Sequence, residues 1–209
     1  MLLICDEVQV GLGRTGTVMA NYHDLKAFDM KPDIITLGKA LSGSFTPASG
    51  IMADNEITRC LAVSDIGSTF GGNALTMAIV RAAVEVLREE GLVENAKEVG
   101  SYMREKFQGI NSHLLKDVRG RGLMNAIEVD RNSFVNGHDL CNIMQEHRLL
   151  TKATKDYSVR FTPGLIITKE EVDEVADIVA ESFYQLEKLN EERSESELYE
   201  IPSQTHLVK

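Results

Sequence analysis

Short apolar runs separated by polar, glycine-rich stretches fill the first third of the chain, and helical stripes dominate the remainder. Residues 2–5 and 33–37 are short, apolar and rich in β-branched side chains, the pattern of strands buried on both faces. Residues 48–53 form a weaker third strand. The spacing then predicts a helix over 73–90, with Asn73 as N-cap and Gly91 as its stop. Its stripe is Leu75, Ile79, Ala82, Ala83, Val86 and Leu87. A second helix, over 92–109, carries Leu92, Ala96, Val99, Met103 and Phe107 on one face.

After Gly109 the period changes. A strand is expected at 123–129, a helix at 137–147, and two short strands at 149–153 and 158–162. The last helix begins at Thr168, where Thr168 and Glu171 can form a capping box. Val172, Val175, Val179, Phe183 and Leu186 mark its inner face. Residues 190–209 are polar and acidic, with no helical stripe, and read as a disordered tail.

This order predicts an α/β fold in parts. Residues 1–72 read as the end of a large α/β domain whose ligand sits at the carboxyl ends of the strands. Residues 73–92 read as a connecting helix, 93–189 as a small α+β domain, and 190–209 as the tail. There is no internal repeat.

Composition narrows the function. The 209 residues are 43% apolar and 26% charged, as in a soluble globular protein with one ordinary core or one plus a small second core. A formal net charge of −10, with no local gathering of Lys and Arg, argues against nucleic acid as the main partner. Cys5, Cys60 and Cys141 are odd in number and lack a C-x-x-C pair, which suggests reduced thiols in an intracellular, cytoplasmic setting. No run is long enough to span a membrane, and no signal or transit peptide precedes the first strand. His138, Cys141 and His147 fall around one helix without a matched second pair, so no metal site is expected.

The chemistry begins with Lys39, just past the apolar run ending at Leu37, and with Asp6, which closes the run before it. An amine and a carboxylate at neighbouring strand ends are what a pyridoxal phosphate enzyme needs. The amine forms a Schiff base with the cofactor aldehyde, and the acid keeps the pyridine nitrogen protonated. Gln9, three residues after Asp6, strengthens the pairing. Gly38, Ala40, Ser42 and Gly43 surround Lys39 with small residues that would let a planar cofactor approach the backbone. Gly11-Leu12-Gly13-Arg14-Thr15-Gly16 matches a dinucleotide fingerprint. Asp6 and Glu7, however, occupy the position a pyrophosphate would approach and would repel it. These glycines are instead expected to shape a loop over another ligand.

Four separated segments carry a family resemblance. They are 6–16 (DEVQVGLGRTG), 32–43 (beginning Pro32-Asp33-Ile34 and ending Gly38-Lys39-Ala40-Leu41-Ser42-Gly43), 67–73 (GSTFGGN) and 119–126 (RGRGLMNA). Together they resemble class III aminotransferases of fold type I, over about 1–188. The resemblance implies the C-terminal part of a fold type I PLP-transferase large domain followed by a small α+β domain. It implies pyridoxal 5'-phosphate as cofactor and amino acid and 2-oxo acid substrates. The RGRGLMNA segment and 159–165 (VRFTPGL) point to ornithine as amino donor and 2-oxoglutarate as acceptor; acetylornithine and 4-aminobutyrate are close alternatives. Lys39 would be the Schiff-base lysine and proton carrier, and Asp6 would pair with the ring nitrogen. Gln9 would bond near the phenolic oxygen. Thr69, with Ser68 beside it, would reach the cofactor phosphate of the neighbouring subunit of a homodimer. Arg160 would take a substrate carboxylate through its planar fork.

Members of that family are longer chains. Their amino-terminal half supplies a phosphate-binding turn, an aromatic stacked on the ring and substrate-side residues, and this sequence contains none of them. It is therefore expected to start midway through the large domain, to leave an open apolar sheet edge, and to bind cofactor weakly. Mitochondrial targeting would lie in such a missing part.

Overall fold

The computed structural model describes residues 1–62 and 65–200, with side chains described as far as 196. It divides into two compact units. The first comprises residues 1–101, 121–124 and 163–166; the second comprises 102–120, 125–162 and 167–209. The chain passes from one to the other inside a helix, between Ser101 and Tyr102, rather than at the boundary near 93 that the sequence suggests. A continuous apolar stripe from Ala96 to Phe107 gives no local signal for a division there.

The first unit holds a three-stranded sheet of β1 (Ile4–Asp6), β2 (Ile34–Leu37) and β3 (Gly50–Ala53), in that order. β1 and β2 are parallel, with Asp6 opposite Thr36; β3 is antiparallel to β2. Two short helices, α1 (Tyr22–Leu25) and α2 (Asn55–Thr58), lie in the connections. α3 (Ala74–Glu89) starts at Asn73, whose side chain accepts the Thr76 N–H at 2.9 Å, and stops before Gly91 at φ 63°. α4 (Leu92–Gln108) comes directly after it.

Burial departs from the strand and stripe patterns. Ile4, Ile51 and Met52 are exposed, so the strands are not covered on both faces. On α3, Leu75 is 72% exposed and Val86 is also open, while Thr76 is the buried residue of the helix. These apolar side chains have no cover among the described residues.

The second unit carries a complete core. β4 (Leu115–Arg121), β5 (Met124–Val129), β6 (Lys152–Lys155) and β7 (Ser158–Phe161) form one sheet in the order β4-β5-β7-β6. β5 alternates cleanly, burying Asn125, Ile127 and Val129. α5 (Gly137–Glu146) begins with a capping box between Asn136 and Asp139. α6 (Lys169–Glu200) begins with the expected Thr168–Glu171 pair and buries Val172, Val179, Phe183 and Leu186. β4 escapes the sequence pattern because its residues are mostly charged and exposed.

The acidic stretch after 190 is helical through Glu200, not disordered; residues 201–209 lie outside the described residues. It is anchored by polar side chains that an apolar-stripe argument overlooks. Asn190 Oδ1 accepts the Phe134 N–H at 2.8 Å. The Arg193 fork meets both oxygens of Asp139 at 2.9 Å and donates to the Phe134 carbonyl.

Candidate active site

Parallel pairing of β1 and β2 decides the geometry of the first unit's candidate site. Both strands run toward one sheet edge, and Asp6 ends β1 there. Lys39 lies three residues past Thr36, the partner of Asp6. One strand spacing plus three extended residues keeps the Asp6 and Lys39 Cα atoms within about 15 Å. A lysine side chain, one pyridine ring and an aspartate can bridge that span.

Asp6 is directed by its neighbours. Its Oδ1 accepts the Val8 N–H at 3.0 Å and the Thr36 hydroxyl at 3.2 Å. The next residue, Glu7, is buried at 3% exposure and turns to the other side. Its carboxylate accepts the Ala20 N–H at 2.9 Å, the Asn21 N–H at 2.6 Å and the Asn21 side-chain amide at 2.7 Å. These donors satisfy a buried charge that would otherwise be costly and fix the end of β1. The sequence reading set Glu7 beside Asp6 at the ligand end of the strand; the structure instead turns it inward, because the Ala20 and Asn21 donors lie on that side.

Lys39 opens a single-turn helix, Lys39–Ser42, and holds φ at 41°, in the left-handed region. Non-glycine residues adopt that region at a cost. The loop beyond it is closed by buried Ser42, whose hydroxyl donates to the Thr46 carbonyl and accepts the Thr46 N–H at 3.3 Å. The small residues here therefore serve the turn itself. A Cβ on Gly38 would come within 3.3 Å of Val8.

Lys39 lines a cavity of about 470 Å³ together with Thr46, Ser49, Ser68, Phe70 and Thr76 among others. That volume lies within the roughly 300–1,000 Å³ of small-molecule sites. Ser68 thus joins Lys39 at one cavity, whereas Thr69 is exposed next to it and outside the lining. Asp6 and Gln9 are exposed at the strand edge, also outside that lining. The amine and hydroxyls at this cavity fit the aldehyde and phosphate of a phosphorylated pyridine aldehyde, while the oriented carboxylate that would serve its ring nitrogen stands outside the lining. Arg160 belongs to the second unit. It is half-buried in β7, a central strand, opposite Ala126 of β5 and Lys152 of β6.

The glycine-rich segment does not cradle a ligand. Gly11, Gly13 and Gly16 are packed against protein: Cβ atoms there would meet Glu7 at 2.8 Å, Leu87 at 3.2 Å and Lys97 at 2.9 Å. Gly122, from the RGRG segment, has φ 53° and lies where a Cβ would fall 2.4 Å from Thr15. A Cβ on Gly100 would in turn strike the Gly122 carbonyl. Arg14 fastens the crossing, donating to the carbonyls of Pro163 and Leu123, and burial pushes its guanidinium below the usual value. Arg121 forks onto both oxygens of Asp24 at 2.9 and 3.0 Å, and this bond holds the Asp24 carboxyl below its ordinary range.

Among the described residues no group of metal-ligating side chains comes together, and no helix is long and apolar enough to cross a membrane.

Comparison with known proteins identifies relatives of the chain. The aminotransferase class-III family model matches residues 1–183. Ornithine aminotransferase of Plasmodium falciparum is 42% identical over 184 residues, covering 87% of this chain and 43% of the relative. The crystal structure of ornithine aminotransferase from Toxoplasma gondii ME49 superposes with a TM-score of 0.83 at 37% identity, over 90% of this chain and 44% of that one. Acetylornithine aminotransferase from Elizabethkingia anophelis gives 0.80 at 36% identity, over 88% and 48%. The chain therefore spans less than half the length of these relatives.

Proposed function

The chain belongs to the class-III aminotransferases, and from that premise we propose that it carries the central groups of a pyridoxal-phosphate transaminase acting on ornithine and 2-oxoglutarate. The reading is supported above all by the parallel pairing of β1 and β2, with an acid ending one strand and an amine just beyond the other. Similarity to proteins named ornithine aminotransferase supports the donor.

Pyridoxal 5'-phosphate, when bound, supplies an electron-accepting ring and an aldehyde carbon to receive the amino group. Asp6, its direction set by Val8 and Thr36, would hold the ring nitrogen and keep it protonated. Lys39 would anchor the cofactor through its amine, which would also be the group placed to hold and move a proton. Gln9 would bond near the phenolic oxygen. Ser68 and Thr69 would offer hydroxyls to the phosphate of the neighbouring subunit in a homodimer, and Arg160 would take a substrate carboxylate in a bidentate fork.

A second reading has its own support. Among the described residues, eighteen large apolar side chains of the first unit are exposed against three in the second, and Phe45 reaches 87% exposure. A chain so open could serve as a catalytically silent piece. Amino transfer from ornithine distinguishes the two. Ornithine is expected to yield glutamate semialdehyde slowly but faster than acetylornithine or 4-aminobutyrate react, and Lys39→Ala to abolish all three. A preference for another donor would reassign the substrate; no transfer from any donor would favour the silent piece.

A further inference from the structure

Within the second unit, the neighbours of β7 decide what stands beside Arg160. On one flank β5 places Ala126 opposite it; on the other β6 places Lys152 opposite it. Directly opposed residues of adjacent strands share one face of the sheet. Val159 and Phe161, which alternate with Arg160, are buried on the other face. α5 lies on their side, where a Cβ on Gly137 would meet Val159 at 3.2 Å. Arg160 and Lys152 therefore stand together on the face away from α5, the first half-buried and the second exposed.

Two cations directly opposed across a strand pair repel each other. Elsewhere on this face charge is matched. Glu128, opposite Ser158, accepts at Oε1 from Arg131 at 2.7 and 2.9 Å and at Oε2 from Arg119 at 2.8 Å. Arg119 also donates to Asp117 and to the Ser158 hydroxyl. Among the described residues, no carboxylate pairs with Arg160 or Lys152. In a chain of net charge −10, an unmatched pair of facing cations is a place that an anion would settle. Ala126 puts only a methyl group beside Arg160, which leaves room for one.

We propose that Lys152 is a further substrate-binding residue: together with Arg160 it holds one carboxylate of the amino acid or 2-oxo acid substrate. This rests on the reading of Arg160 as the residue that takes that carboxylate. The guanidinium supplies a planar fork for the two oxygens, and the ammonium supplies a point charge with rotatable donors. An ionised carboxylate has about four acceptor sites, so the two cations do not compete for it.

The test is 2-oxoglutarate binding to the full chain without cofactor, at low salt, read by nuclear magnetic resonance from the backbone amides of 126, 152 and 160. The wild type is expected to show saturable shifts there. Lys152→Met is expected to bind about tenfold more weakly, as loss of one charged hydrogen bond does. Arg160→Met is expected to lose at least as much, and the double variant little more, because the cations share one group. Without ligand, Lys152→Met is expected to melt at or above the wild type, since a repulsion is removed. Lys188→Met, on α6, removes the same charge elsewhere and is expected to bind normally.

Unchanged binding in Lys152→Met with weakened binding in Arg160→Met would overturn the proposal and leave the Arg160 reading standing. Weakening by Lys188→Met equal to that of Lys152→Met would make net charge the cause, and additive losses would give the cations separate anions; either overturns it. A lower melting midpoint for Lys152→Met would make that residue part of the fold, and equal shifts with inorganic phosphate would make the pair unselective, again overturning it. If 2-oxoglutarate shifts none of these amides in the wild type, the Arg160 reading fails and the proposal with it. Absence of amino transfer, by contrast, counts against the enzyme reading alone.

Discussion

At Lys39 the backbone is held at φ 41°, a conformation that suits Asn or Gly better than a long side chain. Nothing in its turn demands lysine: the turn is closed by Ser42 and by the Gly43 N–H donating to the Ala40 carbonyl. An amine kept at a costly position is the usual mark of a residue retained for chemistry. Lys39→Asn is therefore expected to leave the melting midpoint unchanged or raise it, by up to about 1 kcal/mol of stability, while removing every cofactor-dependent signal. A clear loss of stability in denaturant titration would contradict this. Glu7 shows the opposite bargain, a buried charge with three donors whose work is to hold the end of β1.

At the scale of elements, the second unit keeps closely to its sequence. The stripe of α6, the capping pair at Thr168 and the alternation of β5 all appear where the spacing puts them, because these elements bury their own apolar faces. β4 was hidden by its charges: exposed Arg119 bonds to Asp117 in its own strand, to Glu128 of β5 and to Ser158 of β7, so a polar run here is a paired strand. The extension of α6 was hidden likewise by the Arg193–Asp139 fork. In the first unit, the strand ends that carry Asp6 and precede Lys39 were legible, but the packing of its glycines was not. Their neighbours come from Lys97 and Gly122, distant in sequence.

The ion pairs of the second unit also set its response to acid. Arg131 and then Arg119 hold the Glu128 carboxyl below its ordinary 4.5. The Asn132 N–H and Lys116 hold Asp130 below 3.8, and Lys106 with Tyr102 does the same for Asp173. Each group binds its proton less readily folded than unfolded. Its contribution is full above those ordinary values and is lost as pH falls through the lowered ones. The melting midpoint, tracked by circular dichroism, is expected to be flat above about pH 5 and to drop below it. A midpoint that holds or rises on acidification to about pH 3 would refute this.

For the whole molecule, the contrast between units is the main physical fact. Among the described residues, the second unit buries sixteen apolar side chains to less than a tenth exposed, the first only five. β1 pairs on one side only, and the chain spans 43% of its P. falciparum relative. The first unit therefore holds the groups proposed for chemistry with little of the core that would stiffen them, and weak but selective cofactor uptake is the expected result. Borohydride reduction at saturating pyridoxal 5'-phosphate, with peptide mass mapping of the product, tests this most directly. The label is expected to concentrate on the peptide containing Lys39 and to fall sharply there in Asp6→Asn. Label spread evenly over the lysines, or indifferent to Asp6, would contradict the account.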